Sequence, residues 1–160
     1  MTPEHLHLVL NHFPIIGLAC ACVPLFIGIV KNSRTTIISG LLLAAVCGWM
    51  TFAVMETGEQ ASERYETAPI SNYLDANFAH YLDIHEERAD KGSKVMYAAA
   101  VLATLNLILI VWNAPVGRWA SIVVLIACLL SAAAGVWIAD AGGKIRRPDF
   151  RTLPPQSVQK

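Results

Sequence analysis

Five histidines are the side chains of this sequence best suited to bind a cofactor: His5, His7, His12, His80 and His85. Neutral imidazole is the commonest metal ligand among side chains, and it also serves as an axial ligand of haem iron. On a helix His5 and His12 share a face because they are seven residues apart, whereas His7 points toward the side of Asn11 and Pro14. The residue types therefore predict metal or haem binding. Nothing in the sequence suggests the nucleophile and base of a hydrolase.

His12 has two competing interpretations. A helix that starts at Pro3 places it roughly 13 Å along the axis at 1.5 Å per residue, and an ionisable side chain at that depth in a membrane is a candidate functional residue. As a structural residue, His12 would hydrogen-bond a backbone carbonyl freed by Pro14, or reach Glu56 at the end of the second helix. As a ligand it would bind haem b or a metal ion, with His85 as its partner because His85 belongs to a different helix at the same end.

A haem site with two histidine ligands also needs small residues beside the macrocycle and cations near the propionates. The small residues available are Gly17, Gly48, Ala139 and Gly142. The cations available are Lys144, Arg146 and Arg147. His7 is a further candidate for the same cofactor-binding set.

A divalent metal is the alternative occupant, held by a cluster of carboxylates and histidine. Its candidate ligands are Glu56, Glu59, His85 and Glu86, since imidazole and carboxylate suit several divalent metals. The sequence lacks the Glu-x-x-His pairs of di-iron bundles. The four cysteines fall inside apolar segments without metal-type spacing, so we interpret them as small buried apolar residues.

The elements that position these residues follow from the distribution of charge. The chain has 160 residues, of which 55% are hydrophobic and 15% charged, whereas soluble domains are roughly 45–50% apolar and about 25% charged. Four uncharged runs, at 5–30, 35–55, 95–117 and 119–139, are each long enough to cross a bilayer. We therefore predict an all-α, four-helix transmembrane bundle, a single integral membrane domain over residues 1–160. The predicted spans are about 8–30, 36–55, 94–113 and 119–139.

The charged residues also predict the orientation of the bundle. Four spans place both termini on one side, together with a long helical connection at 56–93 and a tail at 140–160. The two short loops on the other side hold Lys31, Arg34 and Arg118 and no acid, so the positive-inside rule makes them cytoplasmic. We expect both termini to face outward. Because residues 1–4 carry no Lys or Arg, we also expect the first apolar segment to be retained rather than cleaved as a signal peptide.

Glycine, proline and capping residues predict the helix ends. Gly58 is a candidate terminator of the second helix, Pro69 breaks the connection, and Ser71 with Asn72 can cap a new helix that leads into the third span. Small residues at four-residue spacing in the second and fourth helices predict close helix packing. The segments 54–58 and 137–143 both place an acid shortly before a glycine, which hints at two parallel hairpins without establishing a repeat.

Four short segments, spread over nearly the whole chain, carry recognisable motifs. They are 5–14 (HLHLVLNHFP), 57–59 (TGE), 85–86 (HE) and 142–149 (GGKIRRPD). Together they resemble a family of small four-helix bacterial inner-membrane proteins, classed mainly as a domain of unknown function and recognised by a His-Phe-Pro element in the first helix. The family pattern often has His where this sequence has Arg147, so a histidine role at that position is absent or changed here.

The resemblance implies a function in electron transfer, because similar domains occur fused to cytochrome c modules. It carries over His12 and His85 as ligands. On this basis we expect a membrane-embedded, b-type cytochrome-like subunit of a larger redox complex in the bacterial inner membrane, with both termini periplasmic. Its expected partners are the lipid bilayer and redox subunits such as a cytochrome c, with no nucleic acid. A cofactor-free structural or assembly subunit remains the alternative, and catalysis by the chain alone is not expected.

Overall fold

A computed structural model describes residues 1–67, 77–112 and 117–151 of the chain, all of whose long elements are helices. In chain order these are α1 (Pro3–Leu10), α2 (His12–Val30), α3 (Arg34–Thr67), α4 (Phe78–Val111) and α5 (Gly117–Arg146), followed by a short 3-10 helix (Pro148–Phe150). The predicted cap at Ser71 and Asn72 and the break at Pro69 lie outside the described residues.

Four helical segments are long and apolar enough to cross a membrane. They are Pro3–Val30, Arg34–Tyr65, Phe78–Val111 and Gly117–Arg146. Large apolar side chains such as Phe26, Phe52 and Val136 are exposed on their outer faces, where lipid rather than water is the compatible solvent. The prediction of an all-α bundle with four spanning helices is confirmed.

The four long helices pack as a ring, in which each helix contacts its two neighbours: α2 with α3, α3 with α4, α4 with α5, and α5 with α2. Small residues bring the backbones together, as predicted. A Cβ added to Gly48 would lie 2.8 Å from the Cβ of Ala100, and one added to Gly135 would lie 3.0 Å from Ile15. The core between the helices is built from Leu18, Leu25, Leu41, Met96 and Val124.

The first two spans show how one proline and one glycine act on their helices. The first is interrupted at Asn11, between α1 and α2, because Pro14 has no N–H to donate to the carbonyl of Leu10. The second does not end at Gly58, since α3 continues to Thr67. Gly58 is a contact point within a helix rather than a terminator.

Two arginines link the hairpins at the end of the bundle that carries the short loops, which we call the arginine end. Arg34, at the start of α3, donates to the carbonyls of Ile110 (2.9 Å) and Val111 (3.4 Å) at the end of α4. Arg118, in the first turn of α5, donates to the carbonyl of Ile29 (3.1 Å) at the end of α2. Each arginine thus binds carbonyls in the last turn of a helix, where the regular hydrogen bond from four residues later is missing.

The two hairpins, α2 with α3 and α4 with α5, share one pattern of burial. Adding 78 to the buried positions of α2, which are Pro14, Leu18, Ala21, Leu25 and Gly28, gives Gly92, Met96, Ala99, Ala103 and Asn106, all buried in α4. Adding 84 to Ile37, Gly40, Ala44, Cys47, Thr51 and Thr57 of α3 gives the buried residues Ser121, Val124, Cys128, Ser131, Gly135 and Ala141 of α5. The bundle is therefore an approximate twofold repeat of one helical hairpin.

Candidate functional site

His7 and His85 face each other at the opposite end of the bundle, which we call the histidine end. Their ring centroids are 6.4 Å apart and their ring planes make an angle of 85°. Both side chains are half-buried. They come from α1 and α4, and they occupy equivalent positions in the repeat, because adding 78 to His7 gives His85.

Each ring is anchored through the same atom to a helix backbone. Nδ1 of His7 lies 3.0 Å from the carbonyl oxygen of Val54 on α3, and Nδ1 of His85 lies 3.2 Å from that of Ile138 on α5. A carbonyl only accepts, so each Nδ1 carries the hydrogen and donates it. In a neutral ring Nε2 then has a free lone pair, which is the arrangement found in metal-binding histidines. The two acceptors are again equivalent, since Val54 and Ile138 are 84 residues apart.

A glycine beside each ring leaves room for the hydrogen bond from Nδ1 to the carbonyl. A Cβ added to Gly58 would lie 3.0 Å from Cε1 and 3.1 Å from Nδ1 of His7, and one added to Gly142 would lie 3.0 Å and 3.2 Å from the same atoms of His85. Both glycines follow the accepting residue by four positions, and a helical Cβ leans toward the N-terminus, over the preceding turn. A side chain at either glycine would therefore crowd the ring that reaches the carbonyl.

Two further residues lie one helical turn from the histidines. Asn11, four residues after His7, has a buried Oδ1 with no hydrogen-bond partner among the described residues. Tyr81, four residues before His85, is buried, and the guanidinium of Arg151 lies 4.6 Å from its ring centroid. Arg151 also donates to the carbonyls at the end of α5. The segment after α5 therefore folds back against α4 at Tyr81, one turn before His85.

An ion pair within each hairpin joins the helices that carry the histidines to their neighbours. Glu4 of α1 pairs with Arg64 of α3 at 3.1 Å. Asp140 of α5 pairs with Arg88 of α4 at 2.9 Å and with Lys144 at 2.8 Å. Arg88 also donates to the carbonyl of Trp137 at 2.8 Å. These contacts fix α1 on α3 and α4 on α5.

The three cations proposed from sequence differ in their surroundings. Lys144 is paired with Asp140. Arg147 is exposed and bonded through two nitrogens to Asp149, and these hydrogen bonds lower the pKa of that carboxyl. Arg146 is exposed, makes no ion pair within the described part of the chain, and attracts Glu4 electrostatically. Of the three, Arg146 is the cation available to an added anionic group.

His12 does not meet His85. It is exposed, and its Nδ1 lies 3.1 Å from the carbonyl of Leu8 on the preceding helical turn. His12 therefore makes neither of the two structural contacts predicted for it. It does not hydrogen-bond the carbonyl of Leu10 that Pro14 frees, and it does not contact Glu56. His5 is exposed on the same face, and exposed His80 stacks edge-on against Tyr81 with ring centroids 5.3 Å apart.

The other residues predicted around a cofactor do not converge either. Gly17 packs against Cys47, and Gly48 against Ala100, so both are occupied by helix contacts. The predicted carboxylate and histidine metal cluster is not formed, because the described residues contain no group of three or more His, Cys, Asp or Glu placed to hold one ion. Its carboxylates, Glu56, Glu59 and Glu86, are all exposed.

Two signals in the sequence identify His7, although depth along the helix favoured His12. The first is a stripe of residues spaced four and three apart, which faces the bundle: His7, Asn11, Pro14, Leu18 and Ala21. The second signal is the repeated pair of acceptor and glycine, Val54 with Gly58 and Ile138 with Gly142.

Comparison of the chain with protein-family models, curated proteins and solved structures finds no match in any of the three.

Proposed function

We propose that the chain is a membrane-embedded electron-transfer subunit that binds one haem b between His7 and His85. The observation that carries this proposal is the pairing of two imidazoles from different helices, each with Nδ1 bonded to a backbone carbonyl. The donor set fits axial ligation, because both Nε2 atoms keep a lone pair. It replaces the combination of His12 and His85 that the sequence favoured.

The spacing of the rings supports the same occupant. Imidazole nitrogen binds transition metals at about 2.0 to 2.1 Å and lies about 1.1 Å from the ring centroid, so two rings on opposite sides of one iron have centroids roughly 6.3 Å apart. The observed separation of His7 and His85 is 6.4 Å. Such a separation is compatible with one iron between the rings when both Nε2 atoms point toward it.

Residues of the chain would set the environment of the cofactor. When bound, haem supplies reversible one-electron transfer at its iron. The carbonyls of Val54 and Ile138 orient the rings and raise the basicity of Nε2. Arg146, exposed at the end of α5, would supply positive charge for a propionate. The apolar helices exclude water from the inner side, which would favour the oxidation state of the haem that has the lower net charge.

The position of the site suits exchange of electrons with a partner at the membrane surface. His85 lies on the part of α4 that carries Glu86, Glu87 and Arg88, and charged side chains of this kind belong outside the hydrocarbon region. The proposed context is a larger redox complex of the bacterial inner membrane, with the histidine end and both termini on the periplasmic side. A periplasmic redox subunit such as a cytochrome c is the proposed partner.

Visible spectroscopy of the purified protein tests the proposal. We expect a reduced-minus-oxidised spectrum with the α and β bands of a six-coordinate haem b, and one haem per chain by pyridine haemochrome. His7→Ala and His85→Ala should each abolish the low-spin bands. The matched control is His12→Ala, which removes an exposed imidazole from the same helical segment and should retain full occupancy.

Two results would overturn the assignment. Absence of haem bands in wild-type protein, produced with an adequate haem supply, would leave the cofactor-free structural or assembly subunit as the function. Loss of the bands in His12→Ala with retention in His7→Ala would move the ligand to the exposed face of the first helix.

A further inference from the structure

We infer that Gly58 and Gly142 are positioning residues that hold the two axial imidazole planes nearly perpendicular, and so determine the electronic state of the bound ferric haem. This inference rests on the proposed function and deepens it. Its basis is the 85° angle between the ring planes of His7 and His85, which becomes the angle between the ligand planes when both Nε2 atoms bind one iron, together with the equivalent contacts that hold each ring.

Each ring is restrained in two directions. The Nδ1 hydrogen bond to Val54 or Ile138 fixes the direction of one ring edge. The backbone of Gly58 or Gly142 lies against the same edge, with space for a Cβ only at 3.0 to 3.2 Å from the ring atoms. Rotation of either ring about its Cβ–Cγ bond would lose the hydrogen bond. The angle between the planes is therefore a property of the protein backbone on α3 and α5.

The angle matters because an axial imidazole interacts through its π system with one of two iron d orbitals. Parallel planes act on the same orbital and separate the pair in energy, whereas perpendicular planes act on both orbitals equally and leave them nearly degenerate. Near-degenerate orbitals give low-spin ferric haem a strongly anisotropic magnetic response. Orientation of axial ligands by hydrogen bonds beyond the metal is a recognised way for a protein to tune haem.

Electron paramagnetic resonance of the oxidised holoprotein tests the inference. We expect wild-type protein to show one large low-field g value with broad remaining features, rather than the three-line rhombic signal of parallel imidazoles. Gly58→Ala and Gly142→Ala should each shift the signal toward the rhombic form by a similar amount, because the two contacts are equivalent. Gly143→Ala is the matched control, since its Cβ would meet only Phe150 at 3.5 Å, an ordinary contact, and its signal should be unchanged.

The outcomes separate this inference from the proposed function. A rhombic signal in wild-type protein that carries haem would overturn the perpendicular geometry and leave haem binding intact. An unchanged signal in both Gly58→Ala and Gly142→Ala would overturn the role of the glycines. Loss of haem from both variants, with retention in Gly143→Ala, would support the contact. Absence of haem from wild-type protein would overturn the proposed function itself.

Discussion

Glycine and histidine depend on each other at the site. Glycine within a helix is less favourable than alanine by about 1 kcal/mol, yet Gly58 and Gly142 both lie inside long helices. Each faces an imidazole ring whose nitrogen reaches a carbonyl four residues earlier. The cost in helix stability is thus offset by a hydrogen bond that orients the ring. A residue that reads as a helix terminator in the sequence is explained by a contact with a distant helix.

Asn11 provides a test of the surroundings of His7. Its buried Oδ1 has no partner in the described structure, and an unpaired buried polar atom costs about 1 to 3 kcal/mol. We expect Asn11→Leu to raise the free energy of unfolding of the haem-free protein by about 1 kcal/mol, measured by denaturant titration in detergent.

Asn106 is the matched control for this substitution. It is a second asparagine of the bundle, within α4, and its buried amide is hydrogen-bonded to the Ser121 hydroxyl at 2.9 Å. Asn106→Leu should therefore lower the free energy of unfolding. If Asn11→Leu proves as destabilising as Asn106→Leu, Asn11 has a partner in the folded protein, such as a bound water.

The sequence singled out histidines at this end of the bundle but not the pair that the structure brings together. His85 followed from residue type, but the choice of His12 over His7 rested on depth along the helix. Depth does not determine which face of a helix is buried, because that depends on the neighbouring helices. His7 lies on the same face as buried Pro14 and Leu18, whereas His12 is exposed. The contact with Val54 depends on α3 and is not visible in local sequence.

At the scale of the helices, the arginine end is joined by two crosswise contacts. Arg34 and Arg118 each bind carbonyls at the end of a helix in the other hairpin. We expect Arg34→Ala to lower the free energy of unfolding by about 1 to 2 kcal/mol, because charged hydrogen bonds to carbonyls are lost. Arg118→Ala should lower it less, since Arg118 makes one such bond at an exposed position.

Denaturant or SDS titration of the purified variants measures both effects. Lys31→Ala is the control, because Lys31 is exposed in the same loop and should leave stability within about 0.5 kcal/mol of wild type. A loss of similar size in Lys31→Ala would attribute the effect to the charge of the loop rather than to the arginine contacts.

The parts of the helices that cross the hydrocarbon region could be predicted from the sequence. Uncharged runs marked all four spans, because a charged side chain is costly in the hydrocarbon region. The same signal stops where charge begins, so the predicted second span ended at about residue 55 while α3 extends to Thr67. The extension is amphipathic and is held by tertiary contacts such as Glu4 with Arg64. Such contacts lie beyond a signal that measures only hydropathy.

At the scale of the whole molecule, the twofold repeat is closer inside the bundle than at its histidine end. Many buried positions correspond, but Arg88 stands where the first hairpin has Leu10, and Lys144 where it has Gln60. Asp140 consequently pairs with two cations, while the equivalent Glu56 is bonded to the Gln60 amide at 2.9 Å. The second hairpin therefore carries more positive charge, and the first presents an exposed carboxylate. A partner docked on the histidine end would therefore contact two hairpins of similar backbone but different surface charge.

The orientation of the bundle in the membrane can be tested directly. The arginine end has three basic residues and no acid in its loops, which predicts that it is cytoplasmic. Lys31→Cys places an exposed thiol at the arginine end, and Asp83→Cys places one near the start of α4, at the histidine end. With a membrane-impermeant maleimide, we expect Asp83→Cys to be modified in intact cells and Lys31→Cys only after permeabilisation. Unsubstituted protein is the control, because its four cysteines lie within the apolar helices. Modification of Lys31→Cys in intact cells, with protection of Asp83→Cys, would reverse the bundle and place the histidine pair on the cytoplasmic side, which rules out a periplasmic redox partner.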